Sequence, residues 1–154
     1  MGVACFPLGT EAGGSIRPPA AFSGVVGLKP ASGLFSRDGV VAMGSSVDVI
    51  GPLTNSVADA ALVLDVIAGQ DAADATTIQR EDKYSISSDV KGKKVGLITE
   101  YLAEGTAPEV KQAVLAAADK LRAAGASVEE VSLPSVDLAL ACYYILVPAE
   151  VSSN

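Results

Sequence analysis

The sequence of 154 residues contains no histidine and no tryptophan, and only two cysteines, Cys5 and Cys142. Without histidine, these residues cannot form a Ser-His-Asp triad, a Cys-His dyad or the common zinc sites. Two well-separated cysteines do not make a disulfide framework, and without a secretory leader they favour a reducing cytoplasm. We predict that both thiols fill small core positions. Any nucleophilic chemistry in this chain must therefore use a base other than imidazole.

Basic residues and long apolar runs are also scarce. Eleven Lys and Arg residues face 18 Asp and Glu residues, which gives a formal net charge of −7. This balance argues against a basic nucleic-acid footprint on the chain itself, and leaves open RNA contact by a partner protein. No apolar run approaches the ~20 residues that cross a bilayer, so no membrane partner is predicted. The 49% hydrophobic and 19% charged content is typical of a folded globular domain.

The second half of the chain indicates an α/β fold. Residues 94–99 read as a strand, a helix opens at residues 106–109, and residues 127–131 read as a second strand. A strand, a helix and a strand in this order predict a right-handed crossover in a parallel sheet.

Shorter elements are predicted elsewhere. Buried strands are expected at residues 3–8 and 24–30, with short strands within residues 31–55. Ser56 and Asp59 match a capping box at the start of a helix. Ser135 is predicted to begin a final apolar helix that reaches Val147 or beyond.

A glycine-rich stretch, GTEAGGSIRPPAAF at residues 9–22, is the main candidate site. Gly13 and Gly14 allow a tight turn with exposed amide hydrogens. Ser15 would then present its hydroxyl beside free N–H donors, as a nucleophile next to an oxyanion hole does. The same residues suit an ordinary helix N-cap, because Pro18 is well placed in a first helical turn. Local physics favours the cap and leaves the nucleophile open.

Other chemistry is less well supported. The glycine-rich stretch lacks the Gly-Lys-Ser/Thr ending of a Walker A loop and the spacing of a dinucleotide motif, so nucleotide binding is not predicted. Lys29 could replace histidine as a base if its amine were desolvated. The commoner alternative is a surface lysine at the end of a strand.

Two residues are candidates for substrate binding. Arg17 could bind a substrate carboxylate through a forked hydrogen bond, or could form a structural ion pair with Glu11. Tyr144 is the second candidate. The alternative for the Tyr143–Tyr144 pair is that one ring lies in the core with its hydroxyl bonded.

Residues 9–22 and the following GVVGLKP of residues 24–30 resemble the amidase signature family. The likeness continues through SSVDVIGPLT at residues 45–54 and DAALVL at residues 59–64, and it covers nearly the whole chain. Residues 67–71 and 143–154 resemble, within that family, the A-type glutaminase subunits of tRNA-dependent amidotransferases. The resemblance implies an α/β fold with a mixed β-sheet flanked by α-helices.

The resemblance also implies a mechanism. Family members use a Ser–cis-Ser–Lys triad, which makes Ser15 the nucleophile that carries the acyl ester. The backbone amides of Ala12, Gly13 and Gly14, together with that of Ser15, would form the oxyanion hole. Glutamine would be hydrolysed here, and its ammonia would pass to a partner protein. Subunits B and C are the implied partners, and the partner uses ATP and magnesium to activate the glutamate on mischarged tRNA. No cofactor or metal is expected on this chain itself.

Two catalytic residues of the family pattern have no counterpart in this chain. The family's catalytic lysine lies far upstream of the nucleophile, and its bridging serine lies in a Gly-Gly-Ser-Ser-Gly-Gly stretch; neither is present in these 154 residues. We therefore expect residues 1–154 to be a partial amidase domain that lacks this upstream part and the C-terminal part. The isolated chain is predicted to be inactive. Two alternatives stay open: a hydrolase of the same family acting on another amide, and a truncated module without catalytic function.

Overall fold

The computed structural model describes residues 5–80, 83–84 and 86–154. These residues form two compact units. The first consists of the described residues up to Ile86 together with Tyr143–Asn154, and the second is Ser87–Cys142. The candidate site lies in the first unit.

A three-stranded antiparallel sheet forms the frame of the first unit. Its strands are β1 (Leu8–Glu11), β2 (Val26–Gly27) and β3 (Val49–Thr54). β3 is central: Leu8 of β1 pairs with Pro52, and Val26 of β2 pairs with Thr54. Residues 12–16 connect β1 directly to the helix that begins at Arg17.

Two of the strands differ from the predicted ones. The prediction of a strand at residues 3–8 is wrong for residues 5–7, which are exposed and outside the sheet, while residues 3 and 4 lie outside the described residues. Proline has no N–H to donate, and Pro7 only accepts a bond from the Leu53 N–H, at 3.0 Å. The run at residues 24–30 contributes only the two residues of β2.

Two helices of the first unit begin near the sheet. α1 (Arg17–Ser23) has proline in its first turn and ends at Gly24, where φ is 66°. α2 (Val57–Ile67) begins after Ser56, whose Oγ accepts a bond from the Asp59 N–H at 3.1 Å. The predicted helix cap at Ser56 is confirmed.

The second unit contains the predicted crossover. β4 (Lys94–Ile98) is followed by a 3₁₀ turn (Glu100–Leu102), α3 (Pro108–Ala123) and β5 (Ser127–Val131). The two strands are parallel, with Lys94 opposite Ser127 and Ile98 opposite Val131. The last helix, α4 (Val136–Val151), starts in this unit, and its residues from Tyr143 onward belong to the first.

The core of the first unit is built from small and branched side chains. Ile16 is fully buried, and Ala20, Phe35 and Val49 are nearly so. Packing is close at Gly51, where an added methyl group would lie 1.9 Å from the Leu28 carbonyl oxygen.

Neither cysteine contributes to a core. The predicted burial of Cys5 and Cys142 is wrong, since both thiols are exposed. Of the helices that the structure describes, none has the length and apolarity to cross a membrane.

Candidate active site

A buried carboxylate at the end of β1 organises the glycine–serine turn. Glu11 is 1% exposed. Its Oε2 accepts hydrogen bonds from the backbone N–H of Ile16 (2.9 Å) and of Arg17 (3.0 Å). Its Oε1 accepts a bond from Arg17 Nε at 2.7 Å and is paired with Nη2 of the same guanidinium. One carboxylate therefore satisfies the first N–H groups of α1 and binds a side chain of its first turn.

The side chain that caps α1 is thus Glu11, which precedes the glycine–serine turn. The prediction of Ser15 as the N-cap is wrong, because the cap position is Ile16 and no side chain at that position makes the capping bond. Glu11 takes over this role from five residues away. A negative charge near a helix N-terminus is favourable, since the free N–H groups give that end a partial positive charge.

Residues 12–15 form a short loop. Glu11 precedes this loop and accepts hydrogen bonds from Ile16 and Arg17, which follow it. Gly14 has a φ of 149°, a conformation that side-chain-bearing residues rarely adopt. Gly13 and Ser15 are exposed. Their N–H groups and that of Gly14 donate no hydrogen bond to any residue the structure describes. The loop therefore presents three free backbone donors beside the Ser15 hydroxyl.

The charge beneath this loop is fixed as a carboxylate. Burial raises the pKa of Glu11, but the hydrogen bond from the Arg17 side chain and those from the Arg17 and Ile16 N–H groups lower it. The net effect is a pKa below the ordinary value of 4.5, so Glu11 is ionised at neutral pH. Its charge is balanced by the Arg17 guanidinium, which leaves the N–H dipoles above free to stabilise a developing oxyanion.

An open cavity of about 420 Å³ lies at the loop, lined by Gly13, Gly14, Arg17, Pro18 and Ala21. The side chain of Arg17 remains 57% exposed although it is paired with Glu11. The predicted ion pair of Arg17 with Glu11 is confirmed, while its binding of a substrate carboxylate stays a prediction. Lys29 is not among the lining residues, and its Nζ donates to the Pro30 carbonyl oxygen at 2.9 Å.

The aromatic ring at this loop is Tyr143. A methyl group added at Gly13 would lie 2.6 Å from its Cε2 and 3.0 Å from its Cδ2. The predicted Tyr144 is 66% exposed, and its ring meets that of Tyr143 edge-on at 5.5 Å between centroids. The contact joins residues 130 positions apart, so no local spacing could have revealed it.

Comparisons with known proteins identify the family and the fold of this chain. The sequence model of the Amidase family matches residues 1–154. This chain belongs to the amidase family. It is 55% identical over 150 residues to the glutamyl-tRNA(Gln) amidotransferase A subunit of Halothermothrix orenii, covering 96% of this chain and 31% of that protein.

Solved structures show the same fold. The crystal structure of the glutamyl-tRNA(Gln) amidotransferase A subunit from Thermotoga maritima matches with a TM-score of 0.93 and 41% identity, covering 98% of this amidase chain and 34% of that one. Native peptide amidase from Stenotrophomonas maltophilia matches with a TM-score of 0.80 and 37% identity, over 97% of this chain and 32% of that one. The predicted α/β amidase-signature fold is confirmed. The chain spans about a third of the length of these relatives.

Gly14 offers a direct test of the loop conformation. We expect Gly14→Ala to lower the free energy of unfolding by about 1–3 kcal/mol, the usual cost of a strained backbone conformation. The added methyl group would also lie 3.2 Å from Pro18 Cγ. Urea unfolding of the purified protein measures the loss. Gly39→Ala is the matched control, since Gly39 has a φ of 77° and no atom within 4 Å of an added methyl group. A Gly14→Ala variant as stable as the wild type would contradict a strained backbone at Gly14.

Proposed function

We propose that this chain carries the acylation site of the glutaminase subunit of a tRNA-dependent amidotransferase. The observation that carries the proposal is the exposed Ser15, which follows a loop of unbonded N–H groups held from below by buried Glu11. The narrower choice within the family rests on the 55% identity to the amidotransferase protein of Halothermothrix orenii.

The proposed reaction begins at the Ser15 hydroxyl. Its Oγ attacks the carboxamide carbon of glutamine, and the carbonyl oxygen becomes an oxyanion that accepts bonds from the amides of residues 12–15. Collapse of this intermediate expels ammonia, with a proton supplied to the leaving nitrogen, and leaves a glutamyl ester on Ser15. Water then hydrolyses the ester to glutamate. The base that takes the serine proton is the lysine of the family triad, acting through the bridging serine, and both lie outside the 154 residues.

Substrate recognition is assigned to two side chains. Arg17 lines the cavity beside Gly13 and Gly14 with its side chain 57% exposed, and we propose that it binds the α-carboxylate of glutamine. Tyr144, also exposed, is the second proposed substrate-binding residue. The ammonia passes to partner subunits B and C, where ATP and magnesium activate the glutamate on charged tRNA in the cytoplasm.

The test is glutamine hydrolysis by the complete gene product assembled with subunits B and C. We expect the rate of glutamate release to rise when charged tRNA and ATP are added. Rapid turnover of simple amides without tRNA would contradict the proposal and favour another amide hydrolase, an alternative supported by the match to peptide amidase at a TM-score of 0.80. No activity in any of these assays would favour a non-catalytic module. Residues 1–154 alone are predicted to be inactive, because the base is not among them.

A further inference from the structure

One face of α4 contacts the glycine–serine loop at one end and a second loop at the other. This face contains four residues at spacings of four, three and four positions: Tyr143, Val147, Glu150 and Asn154. Such spacings place side chains on one side of a helix, here of α4 and the turn that follows it. Val147 is 7% exposed. This side of α4 is therefore packed against the first unit.

The first contact of this face is with the loop that carries Ser15. The ring of Tyr143 lies so close to Gly13 that any side chain at position 13 would overlap it, with 2.6 Å between an added methyl carbon and Cε2. Gly13 has no positive φ that would require glycine. With the ring in its present place, the contact with Tyr143 is what disfavours a side chain at this position.

The other contacts form a polar latch, by which we mean the hydrogen bonds of Glu150 and Asn154 to residues 43–46. Glu150 Oε2 accepts a bond from the Ser46 N–H at 2.9 Å, and Oε1 accepts one from the Ser46 hydroxyl. Asn154 Nδ2 donates to the Met43 carbonyl oxygen at 3.1 Å, and its Oδ1 accepts a bond from the Ser45 hydroxyl at 3.1 Å. These four solvent-exposed bonds join the end of α4 to residues 43–46.

We propose that Tyr143 is a positioning residue for the Gly13 amide, and that the polar latch holds its ring in place. This inference rests on the proposed function, in which the Gly13 N–H stabilises the oxyanion. A ring on a latched helix prevents the loop from moving toward α4, so the free N–H groups keep a fixed direction. Shifts of about 1 Å in such groups can cost roughly 100-fold in rate, which makes a rigid support consequential.

The inference predicts an effect on kcat rather than on KM. In the complete assembled protein we expect Tyr143→Ala to lower kcat for glutamine hydrolysis by about 10- to 100-fold, because the oxyanion exists only in the transition state. KM should change by no more than about twofold by the same reasoning. Tyr143→Phe keeps the ring, so its kcat should equal that of the wild type. Tyr101→Ala, at a tyrosine 59% exposed in the 3₁₀ turn of the second unit, is the control for loss of a tyrosine ring.

The contact itself is tested by a double-mutant cycle. Gly13→Ala should lower kcat because the methyl group collides with the ring, and removing the ring in Gly13→Ala/Tyr143→Ala should relieve the collision. We expect the double variant to lose no more activity than the worse single variant, whereas effects that multiply would contradict a role through this contact. Glu150→Ala should lower kcat in the wild-type background and have no further effect in Tyr143→Ala. If Glu150→Ala has a lower melting temperature but an unchanged kcat, the polar latch does not position Tyr143 for catalysis.

Ser15→Ala separates failure of this inference from failure of the proposed function. If Ser15→Ala still hydrolyses glutamine, the proposed function is wrong and the inference is wrong with it. If Ser15→Ala is inactive while Tyr143→Ala has normal kcat, or raises KM alone, the proposed function stands and the positioning role is overturned.

Discussion

Replacing Ser15 with alanine is expected to lower kcat for glutamine hydrolysis by about 10³–10⁶-fold in the complete protein. The hydroxyl oxygen is the atom that forms the ester, and alanine offers no substitute for it. KM for glutamine should change little, because the loop N–H groups and Arg17 are untouched. Ser15 is exposed, so the free energy of unfolding should stay within about 0.5 kcal/mol of the wild-type value, as is usual for surface substitutions.

Two further measurements make this prediction specific. When the wild-type protein is denatured during turnover of labelled glutamine, label should remain on the peptide that contains Ser15, and hydroxylamine should release it as expected of an ester. Ser23→Ala is the matched control, since Ser23 is another exposed serine, at the end of α1. Glutamine hydrolysis by Ser15→Ala within about tenfold of the wild-type rate would contradict a serine nucleophile, because loss of such a group costs far more.

Features set by neighbouring residues could be predicted from the sequence. The crossover of β4, α3 and β5 depends on periodicity within each segment, and the structure contains it within one or two residues of the predicted bounds. The cap at Ser56 depends on a residue three positions away, and it is present. The expected backbone freedom of glycine is used at Gly14, which has a φ of 149°, while Gly13 is exposed and has no positive φ.

Features set by distant contacts could not be predicted. Glu11 caps α1 only because it ends a strand and turns inward beneath the loop, which depends on the pairing of β1 with β3. The sequence pattern favoured Ser15 for this role because a serine before proline usually makes such a cap. The contact of Tyr143 with Gly13 depends on where α4 ends, which the latch at Glu150 helps to determine. Which side chains approach the loop is a property of the fold.

Because Glu11 caps α1, the Ser15 hydroxyl makes no capping bond. A serine that caps a helix has its Oγ engaged with a backbone N–H and is a poor nucleophile in that arrangement. Because Glu11 accepts the hydrogen bonds of the Ile16 and Arg17 N–H groups, the Ser15 hydroxyl is not needed to cap the helix.

Glu11→Gln is expected to lower the stability of the first unit. Glutamine has the same shape but no charge, and its NH₂ group must face either the Arg17 guanidinium or the N–H groups of α1, all of which are donors. One buried bond to a charged group is worth about 1.5–3 kcal/mol, so we expect a loss of about 2 kcal/mol at neutral pH. Urea unfolding of the purified protein measures it. Glu104→Gln, at an exposed glutamate, controls for the change in net charge.

The pH dependence of this difference follows from the lowered pKa of Glu11. A carboxyl group whose pKa is lower in the folded state stabilises the fold at pH values above its unfolded-state pKa, and that contribution is lost as the pH falls through the folded-state pKa. The difference between wild type and Glu11→Gln should therefore be constant above about pH 4.5, the ordinary value, and shrink below it. A difference that grew on acidification would contradict an ionised Glu11 beneath the loop. In the same variant kcat should fall together with stability, because the carboxylate that holds Ile16 and Arg17 also supports the loop whose N–H groups are proposed to stabilise the oxyanion.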